Sequence, residues 1–191
     1  MDGLTLPHQT PNVNCVALML ANRKTRDTAL ATVLHAKDMM GLGSLKSSHV
    51  EFVTRFRDGD VVQTNNSSVL SAFRSPPHVS TTQFPTVRDA ERLYRLHQAL
   101  VRQHGEMQGK ILRIDEEFNG DAPEYLARAI VEELENQVTT GFLYHDAGKD
   151  AFCATWKGAL LMTWSLCWPF SAFRKWRRAR KAQRLLAELE N

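Results

Sequence analysis

Few residues of this chain have the types and spacing that a catalytic or metal-binding site requires. His97 and His104 are seven residues apart, two turns of a helix, which is too far for a comfortable shared metal ion. The acidic residues of the stretch 115–121 lack the spacing of a calcium loop, and a solvated loop is the preferred interpretation. The chain contains no Gly-rich phosphate loop, nucleophile elbow or His-x-x-x-His pair. We therefore predict a protein that is not an enzyme and that has no metal site and no cofactor.

The cysteines add no further chemistry. Cys15, Cys153 and Cys167 are odd in number and match no metal-binding or redox spacing, so a reducing, cytoplasmic environment is expected. The apolar run 13–21 is short for the hydrophobic region of a signal peptide, and residues 1–12 contain no Lys or Arg. The run is better interpreted as a buried strand.

One segment differs from the rest of the chain. Residues 158–173 carry no charge, and the four tryptophans of the protein all fall between positions 156 and 176. As a helix these sixteen residues span about 24 Å, compared with about 30 Å for the hydrocarbon core of a bilayer. Three interpretations follow: a helix in the membrane interface, a plain core helix, or a marginal spanning helix. Exposure of Trp164 and Trp168 separates them, because buried rings indicate a core helix and exposed rings a bilayer or partner chain.

The net charge of +3 is unevenly distributed. Residues 151–187 contain no acidic residue and carry a charge of +8, so the basic character of the protein belongs to this region. A local basic cluster favours a local polyanionic partner. The candidate binding residues are the tryptophans and the basic side chains of this region: Trp156, Lys157, Trp164, Trp168, Arg174, Lys175, Trp176, Arg177, Arg178, Arg180, Lys181 and Arg184.

These features predict a membrane-peripheral or membrane-anchored protein, held by its C-terminal tail at the cytoplasmic face of the inner membrane. A spanning tail would require export of either the preceding domain or the basic residues, whereas an interfacial helix requires neither. Indole rings suit the headgroup layer, and an anionic leaflet attracts Lys and Arg. A partner protein could bind the same region. The alternative is a nucleic-acid-binding module that uses the same basic cluster.

Alternation of apolar and polar residues predicts the strands. Residues 50–57 alternate most clearly, Asp58-Gly59 supplies a turn, and Val61 to Thr64 returns, which together predict a β-hairpin. Val13 to Leu20 and Val79 to Phe84 predict two further strands.

Residues 28–40 are ambiguous. Their apolar positions fit a helix stripe, with Asp27 in the N-cap position.

Two amphipathic helices follow. The first is predicted from about residue 86–88 to His104, with Gly105 as its terminating residue, and the second from Pro123 to about Gln137.

Short apolar runs at 141–145 and 151–155 predict a second hairpin, and residues 156–190 are predicted to be helical with an interruption at Pro169. The expected fold is α+β: a small, mostly antiparallel sheet packed with two amphipathic helices, then the second hairpin and an apolar/basic helical tail. The expected division is a flexible N-terminus (1–12), an α+β domain (13–155) and a Trp-rich segment with a basic C-terminal helix (156–191).

Residues 123–165 resemble the second half of a winged-helix domain. In that family a helix leads into a β wing, which often closes with a Thr-x-Lys-Gly step into the next helix, and here the step is Thr155-Trp156-Lys157-Gly158. The resemblance implies the fold more than DNA binding. The helix at the recognition position carries four glutamates and only Arg128 as a basic residue, which suits phosphate contact badly. One helix and a connector also replace the two compact helices expected upstream.

Overall fold

The structure is a computed structural model that describes residues 3–4, 13–22, 27–36, 45–69, 75–108 and 122–189. The strands in these ranges are β1 (Gly3–Leu4), β2 (Val13–Asn22), β3 (Asp27–Ala36), β4 (Leu45–Arg55), β5 (Val61–Asn65), β6 (Val79–Gln83), β7 (Leu143–Asp146) and β8 (Ala151–Ala154). The helices in these ranges are α1 (Ala90–Gln108), α2 (Ala122–Thr139), α3 (Trp156–Leu166) and α4 (Phe170–Leu189). The predicted α+β class is confirmed.

The main sheet has the strand order β1-β2-β3-β4-β5-β6 within the described ranges. Its pairings from β1 to β5 are antiparallel, and β6 lies parallel to β5. The predicted strands β2 and β6 and the predicted hairpin of β4 and β5 are confirmed, but the interpretation of β2 as a buried strand is wrong, because Val16 and Leu20 are exposed. Gly59 in the hairpin turn has a φ of 91°, a conformation that glycine adopts without strain. Of residues 1–12, only Gly3 and Leu4 are described, and they pair with β2.

The helix interpretation of residues 28–40 is wrong for the part that the structure describes. Residues 27–36 form β3, which pairs with β2 along its whole length and with β4 on its other side. A strand with two neighbours satisfies its backbone groups on both edges, and this tertiary pairing overrides a helix-compatible spacing. Asp27 is not an N-cap, since its buried carboxylate accepts a hydrogen bond from Tyr94 Oη at 2.9 Å.

Helix α1 packs across β4 and β5 of the main sheet. Asp89 caps it by accepting a hydrogen bond from the backbone N–H of Arg92 at 2.8 Å. Leu93 and Leu96 bury their side chains with Phe52 of β4 in the main hydrophobic cluster. The helix does not end at Gly105, as predicted, but continues to residue 108.

The last turns of α1 have tertiary partners. The His104 ring lies 5.0 Å from the Phe56 ring, and His104 Nε2 lies 2.8 Å from Asp60 Oδ2. These contacts explain why a glycine inside the helix does not terminate it.

The predicted order of helix, hairpin and helix is present as α2, β7–β8 and α3. The junction between the hairpin and α3 is tightly built. Thr155 Oγ1 accepts a hydrogen bond from the Gly158 backbone N–H at 3.1 Å, which caps α3, and Thr155 N donates to the Phe142 carbonyl at 3.0 Å. A Cβ at position 158 would lie 2.0 Å from the Phe142 carbonyl oxygen. Gly158 is therefore required by the close approach of α3 to the backbone of Phe142.

The predicted interruption near Pro169 is confirmed, because α3 ends at Leu166 and α4 begins at Phe170. The second half of α4 docks on the domain. Ala182 is buried in the cluster that contains Phe84 and Leu93, and three leucines of α4 pack against that cluster: Leu185, Leu186 and Leu189. One face of α4 is thus part of the core.

Replacing Gly158 by Ala should lower the free energy of unfolding by about 2 kcal/mol, because the new methyl group meets backbone that cannot move aside. The matched control is Gly105→Ala, whose Cβ would lie 3.4 Å from a carbon of the Phe56 ring, an ordinary contact. Since Ala favours a helix interior over Gly by up to about 1 kcal/mol, this variant should be neutral or more stable. Urea unfolding followed by circular dichroism measures both. Equal effects of the two substitutions would contradict this account of the α3 junction.

Candidate functional site

Helix α3 presents an apolar stripe to solvent. Trp156, Leu160 and Trp164 are spaced by four residues, so they share one face of the helix, and all three are exposed. Gly158 and Ser165 lie on the opposite face and are buried. The helix therefore turns its small residues towards the protein and its largest residues outwards.

The exposed rings continue across the bend into α4. Trp156, Trp164, Trp168 and Trp176 are 74%, 59%, 82% and 50% exposed, respectively. By the criterion set out above, exposed Trp164 and Trp168 favour a bilayer or a partner chain over a core helix.

Ring contacts connect the two helices. The Trp164 and Phe170 rings lie 6.3 Å apart, and the Phe173 and Trp176 rings stack at 5.9 Å. Phe170 and Phe173, three residues apart on α4, are neighbours on the helix surface. The result is an almost continuous line of exposed aromatic rings.

Helix α4 has two different faces. Ala182 and its leucine neighbours point into the core, whereas Phe173, Arg177, Arg180 and Arg184 are exposed at spacings of three and four residues. This spacing places the three arginines on the face of α4 opposite to the docked one. Docking of one face thus holds the other towards solvent.

Several cations of this region lie over aromatic rings. The Arg180 guanidinium carbon is 4.5 Å from the centroid of the Trp176 ring, and that of Arg177 is 5.9 Å from the Phe173 ring. Lys157 Nζ is 5.9 Å from the ring of its neighbour Trp156. Within the described ranges, none of these three cations pairs with a carboxylate. Their charges are therefore open to an external anion.

We give the name aromatic–basic surface to a set of exposed side chains on α3, on α4 and between these helices. Its members are Trp156, Lys157, Leu160, Trp164, Trp168, Phe173, Trp176, Arg177, Arg180 and Arg184. Two further predicted residues, Lys175 and Lys181, are exposed on α4 as well.

Two of the predicted basic residues are turned towards the protein instead. Arg178 is half-buried and donates a short hydrogen bond to Gln83 Oε1 at the edge of the main sheet. Burial lowers the pKa of the Arg178 guanidinium, and the nearby charge of Arg174 lowers it further. Arg174 is itself half-buried. The sequence showed a dense basic run, but only the docking of α4 reveals which of its members face outwards.

A buried polar network was not predicted from the sequence. His97 is fully buried on α1, with its Nε2 2.9 Å from Thr54 Oγ1 and its Nδ1 3.0 Å from Thr64 Oγ1. Thr54 in turn donates to the Asp27 carboxylate, which also accepts from Tyr94. A single sequence does not show that α1 lies across the strands of these two threonines.

The hydrogen bonds of this network define the tautomer of His97. The Thr54 hydroxyl gives its proton to Asp27, so its oxygen must accept the proton on His97 Nε2. His97 Nδ1 then accepts from the Thr64 hydroxyl. Burial lowers the pKa of His97 to about 4, although the negative charge of Asp27 opposes this shift. His97 is consequently neutral near neutral pH.

His97 and His104 do not form a pair in the structure. His97 is enclosed between two threonines, and His104 binds Asp60. Since the imidazole of His97 and the hydroxyls of Thr54 and Thr64 are fully buried, the network stabilises the contact of α1 with the sheet and is closed to a substrate.

A groove of about 470 Å³ lies between β4 and α2 and has polar lining residues. Arg55 Nε donates to Tyr125 Oη at 3.2 Å and its guanidinium forms an ion pair with Glu132 at 3.4 Å. The charged groups on this side of the groove therefore satisfy one another.

Other candidate features give no site in the described part of the chain. The acidic stretch 115–121 lies outside the described residues. Among the residues that are described, no group of His, Cys, Asp and Glu is arranged to hold a metal ion. In the same ranges, no helix has the length and apolarity needed to cross a membrane.

Comparison of the chain with protein-family models, with curated proteins and with solved structures finds no match. The aromatic–basic surface is therefore the feature of the described residues from which a function can be inferred.

The free energy of unfolding should fall as the pH is lowered from 6.5 to about 4, because the unfolded chain binds a proton on His97 that the folded protein excludes. The loss is on the order of 3 kcal/mol over this window. Urea unfolding at a series of pH values measures it, and the His97→Gln variant should lose this component of the slope. The matched control, His104→Gln, should retain it. Identical slopes for the wild type and His97→Gln would contradict the assignment.

Proposed function

We propose that this protein is a non-enzymatic, membrane-peripheral protein that attaches to an anionic membrane surface through its aromatic–basic surface. One observation carries the proposal: all four tryptophans are at least half exposed, and they lie on α3, on α4 and between these helices. Lys157, Arg177 and Arg180 lie in the same region and have no carboxylate partner in the described ranges. Contiguous apolar exposure of this kind is rare on soluble monomers and marks interaction surfaces.

The two kinds of side chain suit the two layers of a membrane surface. Indole and phenyl rings enter the boundary between headgroups and acyl chains, where the indole N–H stays hydrated. Each Lys or Arg close to an anionic leaflet contributes about 1 kcal/mol. The three arginines of the α4 face would thus contribute about 3 kcal/mol, or roughly 100-fold in affinity. We assign the attachment to the cytoplasmic leaflet, because that leaflet carries the anionic lipids.

Preorganisation also supports the proposal. Ala182 and its neighbours dock α4 on the domain, and Thr155 and Gly158 hold α3 against Phe142. The two helices are therefore ordered before they meet a membrane, and attachment does not have to supply the entropy of folding them.

Nucleic acid is the second candidate, since the row of guanidinium groups on α4 could also meet phosphates. A membrane fits better for two reasons. The exposed surface is as rich in aromatic rings as in cations, and α2, which has the recognition-helix position of a winged-helix domain, exposes four glutamates: Glu124, Glu132, Glu133 and Glu135. A partner protein is a third occupant of the same surface.

Co-sedimentation with liposomes tests the attachment. The full chain should bind vesicles of phosphatidylcholine and phosphatidylserine far better than vesicles of phosphatidylcholine alone. The triple variant Arg177→Gln, Arg180→Gln, Arg184→Gln should bind about 100-fold more weakly, because three charges near the leaflet are lost. The double variant Trp156→Ser, Trp164→Ser should also bind more weakly, since its rings no longer enter the interface.

The matched control replaces two exposed apolar residues elsewhere, Val16→Ser with Val33→Ser, which are paired across β2 and β3. This control should bind vesicles as well as the wild type does. Wild-type recovery of the arginine variant, or no binding of the wild type at low ionic strength, would refute the proposal. Tighter binding to duplex DNA than to anionic vesicles, with a steep loss on adding salt, would favour the nucleic-acid alternative.

A further inference from the structure

An apolar groove runs along α3. It has a volume of about 530 Å³ and is lined by Phe142, Trp156, Lys157, Leu160, Leu161 and Trp164. This volume lies within the range of about 300–1,000 Å³ that is typical of small-molecule sites. Lys157 is the one charged residue among the lining residues of this groove. The α3 groove therefore offers a hydrocarbon surface with a single cation.

The walls of the α3 groove are fixed by backbone contacts. The Phe142 carbonyl accepts hydrogen bonds from the backbone N–H of Thr155 at 3.0 Å and from its hydroxyl at 3.2 Å. Gly158 allows α3 to lie directly against this carbonyl. These backbone contacts fix the position of α3 relative to Phe142, which is one of the lining residues of the groove.

The positive charge at the α3 groove indicates that its ligand has an anionic head group. Lys157 is an exposed lining residue of the groove, its ammonium group lies 5.9 Å from the Trp156 ring, and no described carboxylate pairs with it. A ligand with an aliphatic body and an anionic end would bury its chain against Leu160 and Trp164 and bring its charge to Lys157.

The length of the apolar stripe on α3 indicates the length of the aliphatic chain that a ligand can lay along it. Trp156 and Trp164 are eight residues apart on the helix, or about 12 Å. An extended aliphatic chain advances about 1.3 Å per bond, so about ten carbons fill this distance.

We propose that the α3 groove binds a single acyl chain, that of a fatty-acid anion of about ten to twelve carbons, with its carboxylate at Lys157. The inference deepens the proposed function, because Trp156 and Trp164 line the groove and belong to the aromatic–basic surface. Binding in the groove does not itself need a bilayer. The two proposals can therefore fail separately.

Isothermal titration calorimetry of the full chain tests the inference with octanoate, decanoate, dodecanoate and tetradecanoate, each below its micellar concentration. Affinity should rise about fourfold per CH₂, the equivalent of about 0.8 kcal/mol, up to about twelve carbons and then level off where the groove ends. No binding of dodecanoate, or a rise that continues undiminished to tetradecanoate, would overturn the proposal, because the latter indicates partition into an unbounded apolar surface.

Two variants test where the aliphatic chain and the carboxylate of the ligand bind. Leu160→Asn should abolish binding of decanoate, whereas Leu20→Asn, at an exposed leucine of β2, should leave it unchanged. Lys157→Gln should weaken decanoate about fivefold while leaving the uncharged decan-1-ol unaffected, because only the anion uses the ammonium group. Circular dichroism confirms that each variant is folded. Wild-type affinity of Leu160→Asn for decanoate, or equal effects of Lys157→Gln on decanoate and decan-1-ol, would contradict the assignment.

The triple arginine variant separates this inference from the membrane proposal. It should bind decanoate like the wild type, since its substitutions lie on α4 outside the groove. If the full chain binds decanoate but does not bind anionic vesicles, the groove proposal is supported and membrane attachment is refuted. If it binds anionic vesicles but no fatty acid, membrane attachment is supported and the groove proposal is refuted.

Discussion

The docking of α4 on α1 and the main sheet is the contact on which the exposed surface of this protein depends. Ala182 is almost completely buried in the cluster of Phe84 and Leu93, and a residue this small lets the α4 backbone come close to the core. Three leucines of α4 then pack against that cluster, and each contributes on the order of 1–2 kcal/mol through the apolar area it removes from water. Once this face is docked, helical geometry requires that Phe173, Arg177 and Arg180 point outwards.

A second contact has the same effect on α3. Thr155 caps the helix, and the absence of a side chain at Gly158 lets it rest on the carbonyl of Phe142. These two residues belong to the Thr-x-Lys-Gly step by which the chain resembles a winged-helix domain. In this protein the step has a structural explanation that is independent of DNA: it positions a helix whose outer face is apolar. The exposed rings of Trp156 and Trp164 are the consequence of that placement.

Much of the fold was predictable because its elements carry local signals. The hairpin of β4 and β5 has clear alternation with a Gly-containing turn, α2 has an amphipathic stripe, and Pro169 lies at the break between α3 and α4. The errors have a different origin. Residues 27–36 form a strand only because β2 and β4 flank them, and α1 continues past Gly105 only because its end contacts the β4–β5 turn. Long-range pairing is not visible in a single sequence.

The candidate site was predictable in composition and not in arrangement. The charge run and the tryptophans were evident, but the exclusion of Arg178 from the exposed surface follows from its hydrogen bond to Gln83 on another element. The Asp27–Thr54–His97 network escaped detection for the same reason, since its members come from β3, β4 and α1. A buried neutral histidine of this kind adds specificity to the contact of α1 with the sheet, because each of its nitrogen atoms needs a matching hydroxyl.

On an anionic membrane, the indole rings should lie at the boundary between the headgroups and the acyl chains. Because the four tryptophans of the protein all lie between positions 156 and 176, Trp fluorescence reports on this region alone. The most direct measurement is Trp emission of the full chain mixed with anionic vesicles that contain phospholipids brominated at defined depths. The account predicts a blue shift and the strongest quenching by bromine near the headgroup end of the acyl chains. An emission spectrum unchanged by vesicles at low ionic strength, or quenching greatest at the bilayer centre, would contradict it.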